Sequence, residues 1–215
     1  MQTILVLNPN ANTAVTAGLA EAVTPFAIPG RVEIACETMS DGPFGIETRA
    51  DAERVVLPLA ARMTARADVS AFVIACYSDP GLALCREVTG KPVFGLQESG
   101  LFAALQRGDR VGVIALSRGS IARHLPQVRA LGLSTRLAGE RPLNLSVAES
   151  ERAEAYPRIE ATARALLDQD GADTLLLGCA GLVRHRRRLE TALGVPVTDP
   201  VEAATIQALG AVLRP

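Results

Sequence analysis

The 215-residue chain has no tryptophan, one lysine and two histidines, and each shortage removes a class of chemistry. Lys91, the single lysine, stands directly before Pro92, where a strand is expected to open. A pyridoxal phosphate enzyme holds its cofactor on a lysine as a Schiff base, so this position argues against that group, and no cofactor is expected. His124 lies far in sequence from all four cysteines, His185 follows Cys179 by six residues, and no two cysteines form Cys-x-x-Cys, so metal-ligand spacing is absent and no metal site is expected either. No stretch approaches the roughly 20 apolar residues of a membrane span. Met1 to Pro9 has neither the basic start nor the small-residue cleavage site of an export signal. A cytoplasmic protein is therefore expected, with Cys36, Cys76, Cys85 and Cys179 as free thiols. Excess charge is absent too: 22 basic and 23 acidic residues leave a net charge of −1, which attracts neither nucleic acid nor an anionic membrane. The run Arg184 to Arg188 lacks interleaved aromatics and is read as a solvated helix face or subunit contact. The expected partner is a small molecule, and a symmetric homo-oligomer is expected on general grounds.

What the chain does contain is apolar residues in blocks, 48% of the total, enough for one large domain or two small ones. Short β-rich runs alternate with amphipathic segments, the pattern of β-α units around a parallel sheet. Strands are expected at Thr3 to Leu7, Val32 to Cys36, Ala71 to Ala75 and Pro92 to Leu96, with helices at Ala14 to Val23 and Thr48 to Arg66. A helix capped by Ser78 or Asp79 should follow Cys76, and another should follow Glu98. From Arg110 the pattern begins again: strands at Val111 to Leu116, Thr135 to Ala138, Thr174 to Leu177 and from Pro196, with helices at Ser120 to Leu131, Ala148 to Asp168 and Val201 to Leu213.

The halves keep common offsets. Cys76 lies 16 residues before Pro92, Cys179 lies 17 before Pro196, and each proline precedes a glutamate, Glu98 or Glu202, by six. The reading is an internal duplication: an α/β fold of two pseudo-symmetric halves, each a parallel four-stranded sheet flanked by helices, with the active site in the cleft between them. Residues 1–99 form the first half and 100–199 the second, while the C-terminal helix, 200–215, packs back on the first.

Cysteine is usually a small buried filler, and Cys36 and Cys85 are read that way. Cys76 and Cys179 differ because each ends a buried strand and opens a small, glycine-bearing turn. Backbone N–H groups converge in such turns, which is expected to draw the thiol pKa from ~8.5 towards neutrality and to favour a substrate oxyanion. Two thiols on facing halves suit proton exchange at a carbon next to a carbonyl: the thiolate abstracts on one face and the thiol donates on the other.

The segments Ile74-Ala75-Cys76-Tyr77-Ser78-Asp79-Pro80-Gly81-Leu82 and Leu177-Gly178-Cys179-Ala180-Gly181-Leu182 resemble the two cysteine motifs of the aspartate/glutamate/hydantoin racemase superfamily. Within it the chain looks most like the hydantoin and allantoin racemases, through Asn8-Pro9-Asn10, Gly42-Pro43-Phe44-Gly45-Ile46-Glu47 and the Pro92 to Glu98 strand. The likeness covers nearly the whole chain. It implies racemisation at C5 of a hydantoin-type ring by Cys76 and Cys179, with ring carbonyls held by N–H groups near Tyr77, Ser78, Ala180 and Gly181. It also argues against arylmalonate decarboxylases, which keep only the second thiol. One departure is that Ala115-Leu116 replaces a Thr-Thr pair common in the family, making the pocket more apolar there and leaving Ser117 as a candidate contact.

Asn8 and Phe44 complete the expected substrate contacts, the first through its amide and the second as a hydrophobic wall. Asn8 and Asn12 are equally ordinary turn and cap residues, and Glu98 favours a helix start by its charge alone. Competing readings are an aspartate/glutamate-type racemase, whose zwitterionic substrate needs charged groups in the cleft, a decarboxylating lyase, and a two-lobed binding module without chemistry.

Overall fold

Apolar residues on both faces of each central strand leave nowhere for those strands except the middle of a layered α/β structure. The computed structural model describes residues 1–214. Its first half runs β1 Gln2–Asn8, α1 Thr13–Val23, β2 Val32–Thr38, α2 Arg49–Arg54, α3 Val56–Thr64, β3 Ala71–Ile74, α4 Leu82–Thr89 and β4 Val93–Gly95, and α5 Leu96–Leu105 spans the 99/100 boundary. The second runs β5 Val111–Ala115, α6 Arg118–Ala130, β6 Leu137–Pro142, α7 Val147–Ser150, α8 Tyr156–Asp168, β7 Thr174–Gly178, α9 Arg186–Leu193, β8 Val197–Thr198 and α10 Pro200–Val212. All strand pairs are parallel, in the orders β2-β1-β3-β4 and β6-β5-β7-β8. The expected two four-stranded sheets are thus present, and their identical order is the structural form of the duplication.

Alternation along the strands decides what each face meets. Leu5, Leu7, Phe72 and Ile74 point to one side, where they pack with Leu59, Met63 and Leu82 of α3 and α4. Ile4, Val6 and Val73 point to the other, into a core that continues through α1, α5 and α10 to Val113, Leu175 and Leu177 of the second sheet. Each such leucine contributes roughly 1.5–3 kcal/mol. Helix α10 packs on α5 and across β1, β3 and β4. Pro215, the last residue of the segment expected to return, lies outside the described residues.

Prolines account for two departures from expectation. The helix expected over Thr48 to Arg66 divides at Val55 into α2 and α3, because Pro58 has no N–H to offer the Arg54 carbonyl and its ring crowds it. The helix expected over Ala148 to Asp168 likewise divides: a capping box at Ser146 and Glu149 opens the short α7, and Pro157 begins a new helix, α8. Lys91 donates to the carbonyls of Arg66, Ala67 and Val69 beyond α3. The Arg184 to Arg188 run is dispersed: Arg184 faces Glu21, Arg186 pairs with Glu190 and Glu202, and Arg188 stacks 3.5 Å from the Tyr156 ring centroid.

Asp79 does not cap the helix after Cys76, which starts from Gly81 in the left-handed region without a side-chain cap. Its carboxylate instead accepts the Gln97 and Glu98 N–H groups at the start of α5, each at 3.0 Å. In the second half Asp199 itself caps α10, accepting the Val201 and Glu202 N–H groups at 2.8 and 2.9 Å. Gly95 and Asp199 both sit three residues after the strand's proline, so the two halves supply the same carboxylate from different chain positions. Burial pushes both carboxyls up to about 7, against the opposing effect of those N–H bonds. A Cβ on Gly95 would come within 2.3 Å of the Asp79 Cγ. Gly95→Ala should therefore expel the carboxylate and destabilise the fold by about 2–4 kcal/mol, seen as a lower urea midpoint at unchanged slope. A midpoint equal to wild type would show that the Asp79 bonds are dispensable.

Candidate active site

In each sheet the connection leaving the first strand runs one way and the next strand lies on its other side, so a crevice opens at the carboxyl ends of β1 and β3, and of β5 and β7. Cys76 follows β3 after Ala75, and Cys179 directly follows β7. Gly178 lets β7 approach β5 closely there, since a Cβ would stand 2.7 Å from the Ile114 carbonyl oxygen. The two crevices face each other and share one narrow cavity, lined by both cysteines. Tyr77, Ser78, Ala180 and Gly181 also line it. Its apolar wall comes from Val15, Ile46, Leu116 and Val147.

The turn after Cys179 is a 3-10 helix, Ala180–His185, for which the cysteine is the N-terminal cap. The Gly181 N–H donates to the Cys179 Sγ at 3.3 Å, and the Ser78 N–H acts on Cys76 in the same sense. Those bonds favour thiolate, as the turn chemistry implies, yet the expected fall towards neutrality does not occur. Burial outweighs them, pushing Cys76 up to about 11 and Cys179 up to about 12; the charge of Asp79 also raises Cys76, and that of Cys76 also raises Cys179. Cys36 and Cys85 lie away from the cavity in the packing of the first half.

Three expected contacts sit elsewhere. Phe44 is 66% exposed and outside the cavity lining, because its loop turns Ile46 inward instead. Asn8 is fully buried beneath the lining: its amide donates to Asn10 Oδ1, the Asn12 carbonyl and Thr16 Oγ1, fixing the loop from which Asn10 reaches the cavity. Ser117 is occupied by the capping box of α6, accepting the Ser120 N–H at 3.1 Å. Glu98 pairs with Arg86 at 2.8 Å, away from the site.

Four polar lining residues escaped the sequence reading, Asn10, and Ser120, Arg123 and His124 of α6, besides the apolar wall. The last three stand at i, i+3 and i+4, so they share a helix face, and a polar stripe just after a strand end was the available signal. His124 Nδ1 lies 3.0 Å from Glu140 Oε2, both side chains being buried, and its ring meets Tyr77 edge-on at 4.7 Å. Far from every cysteine in sequence, His124 thus shares the cavity with both. Among the described residues no cluster of three or more His, Cys, Asp or Glu is placed to hold a metal, and no helix is long and apolar enough to cross a membrane.

Hydrogen bonds between the halves hold the cavity together. Asn12 Nδ2 donates to Glu151 Oε1 at 3.1 Å, and Gln97 Nε2 donates to the His124 carbonyl at 3.0 Å. Glu47 is held twice: its carboxylate accepts the Val147 N–H at 3.0 Å, and its carbonyl accepts Arg123 Nη1 at 2.7 Å.

Known proteins share this arrangement. Residues 4–208 match the Asp/Glu/Hydantoin racemase family model. A hydantoin racemase of Paenarthrobacter aurescens is 35% identical over 208 residues, covering 94% of this chain and 87% of that one. The structure of an allantoin racemase from Klebsiella pneumoniae superposes with a TM-score of 0.93 at 27% identity, covering 99% of this chain and 88% of that one. One from Pseudomonas fluorescens gives 0.92 at 26% identity, covering 98% and 91%. With a duplicated α/β fold, a shared cavity and a family match over almost its whole length, the chain belongs to the Asp/Glu/Hydantoin racemase family and is an isomerase of the racemase type.

Proposed function

We propose that the chain is a cofactor-independent racemase that moves the proton on a carbon next to a carbonyl between Cys76 and Cys179, acting on 5-substituted hydantoins or allantoin. The observation that carries this reading is that the two cysteines, one from each half, line a single cavity. The ionised sulfur takes the proton and leaves an enolate, and the protonated sulfur returns a proton to the opposite face. The next turnover runs in the other sense, so no group is consumed. Backbone N–H groups of the turns at Tyr77-Ser78 and Ala180-Gly181 hold the ring carbonyls and the enolate charge. The ring substrate is supported by the hydantoin and allantoin racemases that the chain resembles over most of its length.

Cys76→Ser and Cys179→Ser should each lower racemisation by roughly 10²- to 10⁴-fold. Each variant should still exchange the proton of one enantiomer with deuterium from solvent, through the remaining thiol. Polarimetry alongside proton NMR in deuterium oxide separates the two activities, and a variant that racemises at the wild-type rate would eliminate the two-thiol mechanism.

Because burial holds both thiols near 11 and 12, thiolate is scarce at neutral pH. Its fraction grows roughly tenfold per pH unit below the pKa, so kcat/KM should climb steadily from pH 7 to pH 9. A profile flat over that interval would be incompatible with the buried, elevated thiols as the ionising groups.

A further inference from the structure

Arg123 is the one lysine or arginine side chain among the residues lining the cavity, and no aspartate or glutamate lines it. Its Nη1 donates to a backbone carbonyl, that of Glu47, and its Nε is buried with no partner. The carboxylates that favour its charge are engaged elsewhere: Glu47 Oε1 accepts the Val147 N–H, and Asp51 Oδ2 accepts from Thr48 in the capping box of α2. Arg123 is half-buried, and removal from water disfavours its charge. A cation placed in a neutral, largely apolar cavity with a free donor carries a desolvation cost that a ligand anion offsets. Guanidinium geometry suits a carboxylate, which accepts two parallel N–H bonds.

Resting on the ring substrate proposed above, we infer that Arg123 selects substrates whose stereocentre bears a carboxylate-ending substituent. The thiols and turn N–H groups act on the ring, and Arg123 reads the side group. This gives the otherwise neutral site a charge preference. A different use of the same cation, stabilising the Cys76 thiolate, would affect every substrate alike and would shift the pH profile.

The test compares wild type, Arg123→Met and Arg123→Lys on three hydantoins: 5-carboxymethyl, its neutral isostere 5-carbamoylmethyl, and 5-isobutyl. Wild type should favour the carboxylate over the carbamoyl compound. Arg123→Met should lower kcat/KM for the carboxylate by roughly 10- to 100-fold more than for the isobutyl compound, mainly through KM, any loss common to all three substrates reporting the broken bond to the Glu47 carbonyl; an unchanged circular dichroism spectrum shows that the variant folds. Arg123→Lys should recover part of the loss. Equal effects on all three substrates, a shifted pH profile, or no wild-type preference for the carboxylate would overturn the inference. If no hydantoin is racemised, the ring-substrate reading fails separately. Deuterium exchange at Cα of aspartate by the same three proteins then decides: exchange lost in Arg123→Met upholds the role of Arg123, and exchange that is absent or equal in all three overturns it.

Discussion

Removal of two sulfur atoms from water is the constraint on which the rest of this structure depends. A thiol that ends a buried strand is desolvated by the sheet that positions it, so the feature that aims Cys76 and Cys179 at one cavity also raises their pKa. Turn N–H groups, among them Gly181 on Cys179 at 3.3 Å, act against this without overcoming it. A reluctant thiolate is a stronger base once formed, which suits abstraction of a weakly acidic proton from carbon. The fold thus exchanges ease of ionisation for basicity.

The cavity belongs to neither half alone. Val15 and Ile46 come from the first half, Leu116 and Val147 from the second, and the main core runs through both sheets by way of α1, α5 and α10. Glu47 binds the second half through both its carboxylate and its carbonyl, next to the lining residue Ile46. Few hydrogen bonds span the halves at this point, and those of Glu47 are carried by a loop and by the single arginine in the lining. The segment next to Ile46 and the Arg123 guanidinium are therefore tied to one another.

Pseudo-symmetry governs the backbone more strictly than the side chains. The sheets share one strand order and the thiols share one position, yet the carboxylate at the following helix comes from Asp79 in one half and Asp199 in the other. Gly95 is the counterpart of that difference, since its missing Cβ makes room for Asp79. The cavity walls diverge further: α6 brings Ser120, Arg123 and His124 to the cavity, whereas α1 at the matching place brings Val15. The duplication has thus kept the thiols matched while the walls around them have diverged.

Much of this was legible in the chain itself. Periodic apolar runs are a local property, so strand and helix identities, the repeated offsets of cysteine and proline, and the strand-end position of both thiols could all be read in order along the sequence. Pro58 and Pro157, where the helices break, stand in the sequence too. The orientation of side chains across long separations was not legible. Whether Phe44 or Ile46 turns inward depends on how Glu47 is held by α6 and α7, some 76 and 100 positions away in the chain. The meeting of His124 with Tyr77 needs two helix-and-strand units docked face to face. Desolvation of a thiol depends on everything packed around it, so the sequence alone determined that two thiols end equivalent strands, and the tertiary structure decided that they share one cavity, how readily they ionise and what stands beside them.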